Sequence, residues 1–416
     1  MDLPAPKLPV ADDDLGTQRY RQKRDEIVQA AARQIAERGL KGLTLVGVAG
    51  MVGLSTNSVT YYFRRKENLA EATLEAALAR FEEVLAPESP PCSPREYLRA
   101  VLARNFALSA AIRRGEEAPL SALSDMRAME EPVRTRLIHA YYGLISRVAR
   151  RLCAAGNGQI DKGRAVARAQ FICDLLHWAR TWLRLYSIED FPRVEARLFD
   201  LLDRGLAQEG AVWAPQLLPG ETPGTEATGG TSVETYLHVA TRLVNLRGYR
   251  GASVERIAGE LQLSKGSFYH HLSGKDDLVR ACFDHSFNRV SAMQHAAAAL
   301  PGTQWERLSA VLASLMDLQV ANERPLLRDT ALLALPEELR NHAISRSDRI
   351  ARRFAGMLSD GIADGSIRPV DPLIASQCLM GLVNSSVDMA FRSPRWPSRA
   401  ALVEDYAGTV LFGLFN

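Results

Sequence analysis

The chain carries one pattern twice. Residues 22–69 and 232–278 follow a common template without a gap, and Gly39 and Gly248 place the two copies 209 residues apart. At that offset Ala31, Arg33, Arg38, Gly39, Gly42, Ala49, Gly50, Leu54, Ser55, Ser58, Lys66 and Leu69 meet identical residues in the second copy. A shift this long points to duplication of a whole domain. With 416 residues the chain is long enough for two such domains of ~200 residues, beyond what a single core ordinarily supports.

Each copy reads as three helices and the start of a fourth. In the first, Ile27, Ala30, Ala31, Gln34 and Ile35 recur at helical spacing and Gly39 closes the helix. Thr44 is placed to cap a short second helix, a turn follows at Gly53, and Ser55 caps a third helix reaching Phe63. The second copy repeats the scheme around Val239, Ala240, Leu243, Gly248, Ser253, Ile257 and Ser264. Two short helices joined by a tight turn, the later one polar on one face, form a helix-turn-helix pattern.

That last helix has the residue types that DNA docking needs. Ser55, Thr56, Asn57 and Ser58 are small or polar and can approach base edges or phosphates; the matching positions are Ser264, Lys265, Gly266 and Ser267. One turn on lie Thr60, Tyr61 and Tyr62, and then Tyr269, His270 and His271, whose polar tips suit phosphate oxygens. Lys66 and Lys275 open the fourth helix, where a point charge adds affinity without reading sequence. With the cap residues Thr44 and Ser253, these are the candidate DNA contacts. Arg19, Arg21, Lys23 and Arg24 add a basic arm before the first copy, whereas the stretch before the second has Glu226 and Glu234 and no Lys or Arg.

The segments GLKGLTLVGVAGMVGLSTNSVTYYFRRKENL and LSKGSFYHHLSGKDDL resemble the DNA-binding domain of the tetracycline-repressor (TetR/AcrR) family of bacterial regulators. Asn57 stands where that pattern usually has glycine, Thr60 where it has tyrosine, and Gln262 where the turn normally has glycine. A left-handed turn is less comfortable for Gln. The resemblance implies an all-α chain of two TetR-like subunits in tandem, each with a helix-turn-helix domain followed by a helical effector and dimerisation domain. Its last two helices would build a four-helix bundle. It also implies a double-stranded DNA operator, a small hydrophobic effector, and release of DNA by population shift.

On this reading 1–18 is a disordered tail, 19–66 the first DNA-binding domain and 67–213 the first helical domain. Residues 214–231 form a linker, 232–275 the second DNA-binding domain, and 276–416 the second helical domain. Helices are expected near 67–85, 95–114, 131–153, 162–186 and 193–208, and again near 276–300, 305–321, 336–364, 372–391 and 398–415. Phe171, Leu175, Trp178, Trp182 and Tyr186 make an apolar stripe, matched by Ile374, Met380, Val387 and Phe391, and a lone subunit would leave it exposed. The connector, rich in Pro, Gly and Thr, reads as flexible, and its rms span of roughly 24 Å lets both halves join one pseudo-dimer. A homodimer of tandem chains with four reading heads is the competing assembly. Ligand-lining candidates in the first half are Phe106, Met126, Met129, His139, Tyr142, Trp178 and Trp182, which packing alone could equally explain.

Composition narrows the alternatives. Net charge is only +3, so any phosphate footprint must be local; residues 19–80 hold eleven Lys and Arg against six Asp and Glu, and 232–289 eight against six. Five cysteines without a CxxC pair read as core residues of a reducing cytoplasm. No metal or other cofactor is expected. No leader, membrane span or catalytic motif such as GxGxxG, HExxH or GxSxG is found, so a non-enzymatic cytoplasmic regulator is expected. The runner-up is a DNA-binding scaffold or co-regulator without a small-molecule effector.

Overall fold

Helix signals placed at a fixed interval should give helices at a fixed interval, and in the computed structural model those of the two halves recur in the same order among the described residues. It describes residues 12–87, 92–120, 123–154, 162–219, 233–262, 274–322, 324–328, 335, 337–389 and 395–416. These divide into two compact units. One holds the described residues up to Ala79 with 118–120; the other holds the rest.

The smaller unit contains α1 (Asp12–Arg38), α2 (Leu45–Met51), α3 (Thr56–Tyr62) and the start of α4 (Lys66–Val84). Residues 12–18, expected in a disordered tail, are helical. Arg19, Arg21, Lys23 and Arg24 therefore ride on a helix and not on an extended arm. Gly39 turns the chain out of α1 at φ 66°, a conformation that costs glycine little. Ile27, Ala31, Ile35, Leu43, Val48, Val59, Phe63 and Leu69 fill the core.

In the larger unit the first half supplies α5 (Pro94–Arg113), α6 (Leu123–Ala128), α7 (Val133–Ala154), α8 (Lys162–Trp182) and α9 (Phe191–Arg204). The second half supplies α10 (Val233–Gly251), α11 (Val254–Glu260), α12 (Lys275–Ala298), α13 (Gln304–Ala321), α14 (Glu337–Ala363), α15 (Pro372–Met389) and α16 (Arg399–Leu411). Capping boxes open α5 at Ser93–Glu96 and α13 at Thr303–Glu306, so the sequence offset persists to within one residue where identity has faded. Gly248 interrupts α10 at φ 69°, as Gly39 ends α1. The short α6 had no counterpart among the expected helices.

α8 and α9 pack against α15 and α16, burying Phe171, Leu175 and Trp182 on one side and Ile374, Val387, Tyr406 and Val410 on the other. The ends of α9 and α16 cross. Leu206 and Ala207 donate their N–H groups to Leu411 O at 2.9 and 2.8 Å, and Leu414 N donates back to Leu202 O at 2.8 Å. Gly205 (φ 73°) and Gly413 (φ 93°) make this crossing: a Cβ at the first would strike Leu411 O, and at the second Asp203 O. Arg368 donates to Gly205 O at 2.6 Å and Arg168 to Leu414 O at 2.6 Å, so each half lends an arginine to the carbonyls closing the other.

The connector departs from expectation at its start. Leu218 is buried and its N–H donates to Ser314 Oγ at 2.9 Å, so the connector is anchored at this residue. Residues 220–231 lie outside the described residues.

Candidate nucleic-acid interface

The first helix-turn-helix is built by its caps. The Thr44 hydroxyl accepts from Gly47 N at 3.0 Å, and Thr44 N donates to the buried Gln34 Oε1 at 2.8 Å, which ties α2 to α1. Gly53 takes φ 65° in the turn and Leu54 N donates to Ala49 O. Ser55 caps α3 by accepting from Ser58 N at 3.1 Å.

Val59 points into the core, which leaves Asn57 and Tyr61 exposed and Thr56, Ser58, Thr60 and Tyr62 half-buried. Thr60 Oγ1 donates to Asn57 O at 2.8 Å and so stiffens the helix. Tyr62 stacks on Tyr20 with centroids 4.8 Å apart, and Tyr61 meets Tyr62 edge-on at 5.3 Å. This fixes two phenolic tips at the end of α3. Tyr20 escaped the sequence reading because nothing in α1 alone reveals its partner.

The basic residues separate by environment. Arg19 and Arg21 are exposed, but Lys23 pairs with Glu26 at 2.6 Å and Arg24 lies over the Phe63 ring at 5.2 Å. Lys66 is exposed and opens α4; Arg64 and Arg65 beside it are exposed too and extend the basic stretch beyond the single lysine identified from the template.

In the second copy, Ser264, Lys265, Gly266, Ser267, Tyr269, His270 and His271 lie outside the described residues. Ser253 caps α11 by accepting from Arg256 N at 3.3 Å, and the half-buried Lys275 opens α12. Gln262 adopts φ 56°, the left-handed turn that its side chain disfavours.

α10 is tied to the helices around it by buried polar groups. Asn245 Nδ2 donates to Leu326 O at 2.9 Å and its Oδ1 accepts from Arg328 N at 3.0 Å. Arg328 and Arg127, the latter on α6, both reach the Asp388 carboxylate. Nearby charge also shapes Asp174 on α8, where burial and the Asp388 charge push its carboxyl up to about 7, although Gln170 and Tyr141 donate to it.

The seven ligand candidates lie in different environments. Phe106 packs edge-on against Phe191 and Trp182 against Tyr186, Met126 is buried, Met129, Tyr142 and Trp178 are half-buried, and His139 is exposed on α7. None of the seven lines the open groove of ≈ 550 Å³ bounded by Arg184, Asn341, Ile344 and Arg349 or the adjoining one of ≈ 270 Å³ at Tyr186, Leu373 and Gln377.

A family profile for bacterial regulatory proteins of the tetR family matches residues 27–73 and 237–282, and one for the tetracyclin repressor-like C-terminal domain matches 301–388. The HTH-type transcriptional regulator BetI of Burkholderia thailandensis is 33% identical over 167 residues, covering 39% of this chain and 80% of BetI. BetI of Burkholderia mallei is 32% identical over the same length, with the same coverage of each chain. Among solved structures, apo AibR covers 43% of this chain and 98% of its own at 21% identity and a TM-score of 0.36. A TetR/AcrR regulator from Thermobifida fusca covers 44% and 96% at 23% identity and a TM-score of 0.32. No described helix is long and apolar enough to cross a membrane.

Proposed function

Because the chain belongs to the tetR family of bacterial regulatory proteins, and is a DNA-binding transcriptional regulator and not an enzyme, we propose that it acts as a single-chain pseudo-dimer on an imperfect palindrome. The observation that carries this reading is the polarity of the contact between the halves. Arg127, Arg164, Arg184 and Arg193 of the first half pair with Asp388, Asp405, Asp348 and Asp371 of the second at 2.8–3.2 Å. The reverse sense is represented by Arg368 with Asp200. Pairing two first halves would set arginine against arginine, so first-with-second is favoured over like-with-like. Reciprocal hydrogen bonds between the ends of α9 and α16 support an isologous, two-fold arrangement of those halves.

Two joined but diverged readers suit unequal half-sites. Asn57 can pair with adenine, whereas Lys265 suits guanine or phosphate. The DNA contacts are those of the two reading helices and their flanks, with Arg19 and Arg21 free to meet phosphate. Light scattering at DNA-binding concentrations should give a mass near 45.8 kDa, and footprinting should lose more protection when the half under the first reader is scrambled. A mass of twice that value, or equal losses on a perfect palindrome, would overturn the pseudo-dimer.

The regulator is a cytoplasmic, effector-released repressor in this proposal. Support comes from the buried Nε1 atoms of Trp178 and Trp182 and the Nδ2 of Asn105, which make no hydrogen bond among the described residues. Buried donors of this kind are what a bound molecule with acceptor groups would satisfy. A thermal-shift screen of small hydrophobic carbonyl compounds tests it, since a specific ligand raises the melting temperature.

A further inference from the structure

A group of ligating side chains lies between the opening helix of the second reader and α12. Glu234 and His238 are one turn apart on the same face of α10, and His285 faces them from α12, which packs against it. The ligating atoms of all three lie within 4.8 Å of one another. The two imidazoles meet edge to face with centroids 5.3 Å apart. His238 Nε2 is buried and makes no hydrogen bond among the described residues. A buried nitrogen of this type is usually bonded to something.

We propose that Glu234, His238 and His285 form a binding site for a borderline divalent metal ion, Zn²⁺ in the first instance, which fastens the opening helix of the second reader to α12. Two imidazoles and one carboxylate are a three-ligand zinc set that leaves a fourth position for water or another donor. Bonds of ~2.0–2.1 Å in a tetrahedral site place ligand atoms ~3.3 Å apart, so the side chains must draw in by about 1.5 Å. Glu234 is partly exposed and leaves a path for the ion, while His238 is nearly enclosed. Burial first, then His285, Arg289 and Arg324, push His238 down to about 4, so its ring is neutral at physiological pH, as a metal ligand must be.

The local cations oppose the ion. Arg324 pairs with Glu234 at 3.5 Å, and the Arg324 carbonyl accepts from Arg289 at 2.8 Å. A metal must therefore take Glu234 from Arg324. Arg324 lies two residues before Leu326, whose carbonyl holds Asn245 of α10, so metal loading acts on the same joint that anchors the reader. The site does not depend on the pseudo-dimer reading.

Zn²⁺ titration by calorimetry, with Co²⁺ as a spectroscopic probe, tests the proposal on the full chain. One equivalent should bind to the wild type and to H270A/H271A, which removes the other adjacent histidines. Binding should weaken at least tenfold in H238Q and H285Q, weaken in E234Q, and tighten several-fold in R324Q. Circular dichroism in metal-free buffer establishes that each variant folds. Undiminished affinity in a folded H238Q, loss confined to H270A/H271A, or absence of binding in both the wild type and R324Q would overturn it.

Discussion

Arg328 grips Asp388 through both ends of its guanidinium group, Nη1 at 3.0 Å and Nη2 at 2.6 Å, with both side chains buried. Arg127 approaches the same carboxylate at 3.2 Å from the other half of the chain. Both guanidinium groups share the Asp388 carboxylate. Removing it takes the carboxylate from both and leaves Arg127 its 3.5 Å contact with Asn245 O, whereas removing Arg328 leaves Asp388 still paired with Arg127. Breaking a buried pair costs ~3–5 kcal/mol. In urea unfolding, Asp388→Leu should fall at the upper end of that range and Arg328→Met at the lower; the opposite order would show that the arginines find other partners.

Asp174 gives the same region a pH dependence. Burial and the Asp388 charge hold its carboxyl at about 7 in the folded protein, above the ~3.9 of an unfolded chain. A raised acid keeps its proton longer when folded, so its effect on stability is lost as pH climbs from ~4 to ~7 and is flat beyond. Asp174→Asn removes that loss. The stability gap between variant and wild type should widen in the variant's favour by at least ~1.4 kcal/mol between pH 5 and pH 8, the worth of one pKa unit. A constant gap would mean Asp174 ionises normally.

The helices were legible because caps, glycines and apolar periods are local signals: Thr44, Ser55 and Ser253 each do what their position in the sequence suggests. The exposed face of α3, with Asn57 and Tyr61, follows for the same reason. Nothing local in the sequence marks Arg127 and Asp388 as a buried pair, since burial depends on what arrives from elsewhere in the chain, here the packing of α6 against α10. Lys23 is similar, for Glu26 sits one turn away and takes its charge. His238 and His285 belong to different helices, and no spacing rule joins them.

The turn glycine has been lost from only one reader. Gly53 holds φ 65° with no atom near its missing Cβ, while Gln262 holds φ 56°. A side chain in this conformation costs ~1–2 kcal/mol. Gly53→Ala should therefore destabilise and Gln262→Gly should stabilise, each by about 1 kcal/mol. Hydrogen exchange in the two helix-turn-helix segments separates the effects, and a destabilising Gln262→Gly would show that the glutamine side chain holds its turn.

Arg19 and Arg21 are exposed and pair with no carboxylate among the described residues, in contrast to Lys23. Neutralising two phosphate contacts changes log K against log salt by ~0.9 each. Arg19→Gln with Arg21→Gln should flatten the salt dependence of operator binding by about 1.8, and Lys23→Gln by much less. Asn57→Ala should cost ~1–3 kcal/mol at one half-site and relax its base preference. Fluorescence anisotropy at several salt concentrations reads both, and an unchanged slope would remove Arg19 and Arg21 from the interface.

The crossing at Gly205 and Gly413 also sets a timetable. The carbonyl of Leu411 that accepts from Leu206 and Ala207 belongs to the far end of the chain, so α9 cannot be finished when it leaves the ribosome. At ~5–20 residues per second the first half waits roughly 10–40 s for its counterpart. Through that interval Phe171, Leu175 and Trp182 have no partner, and the nascent chain is at its most vulnerable to pairing with another copy of itself.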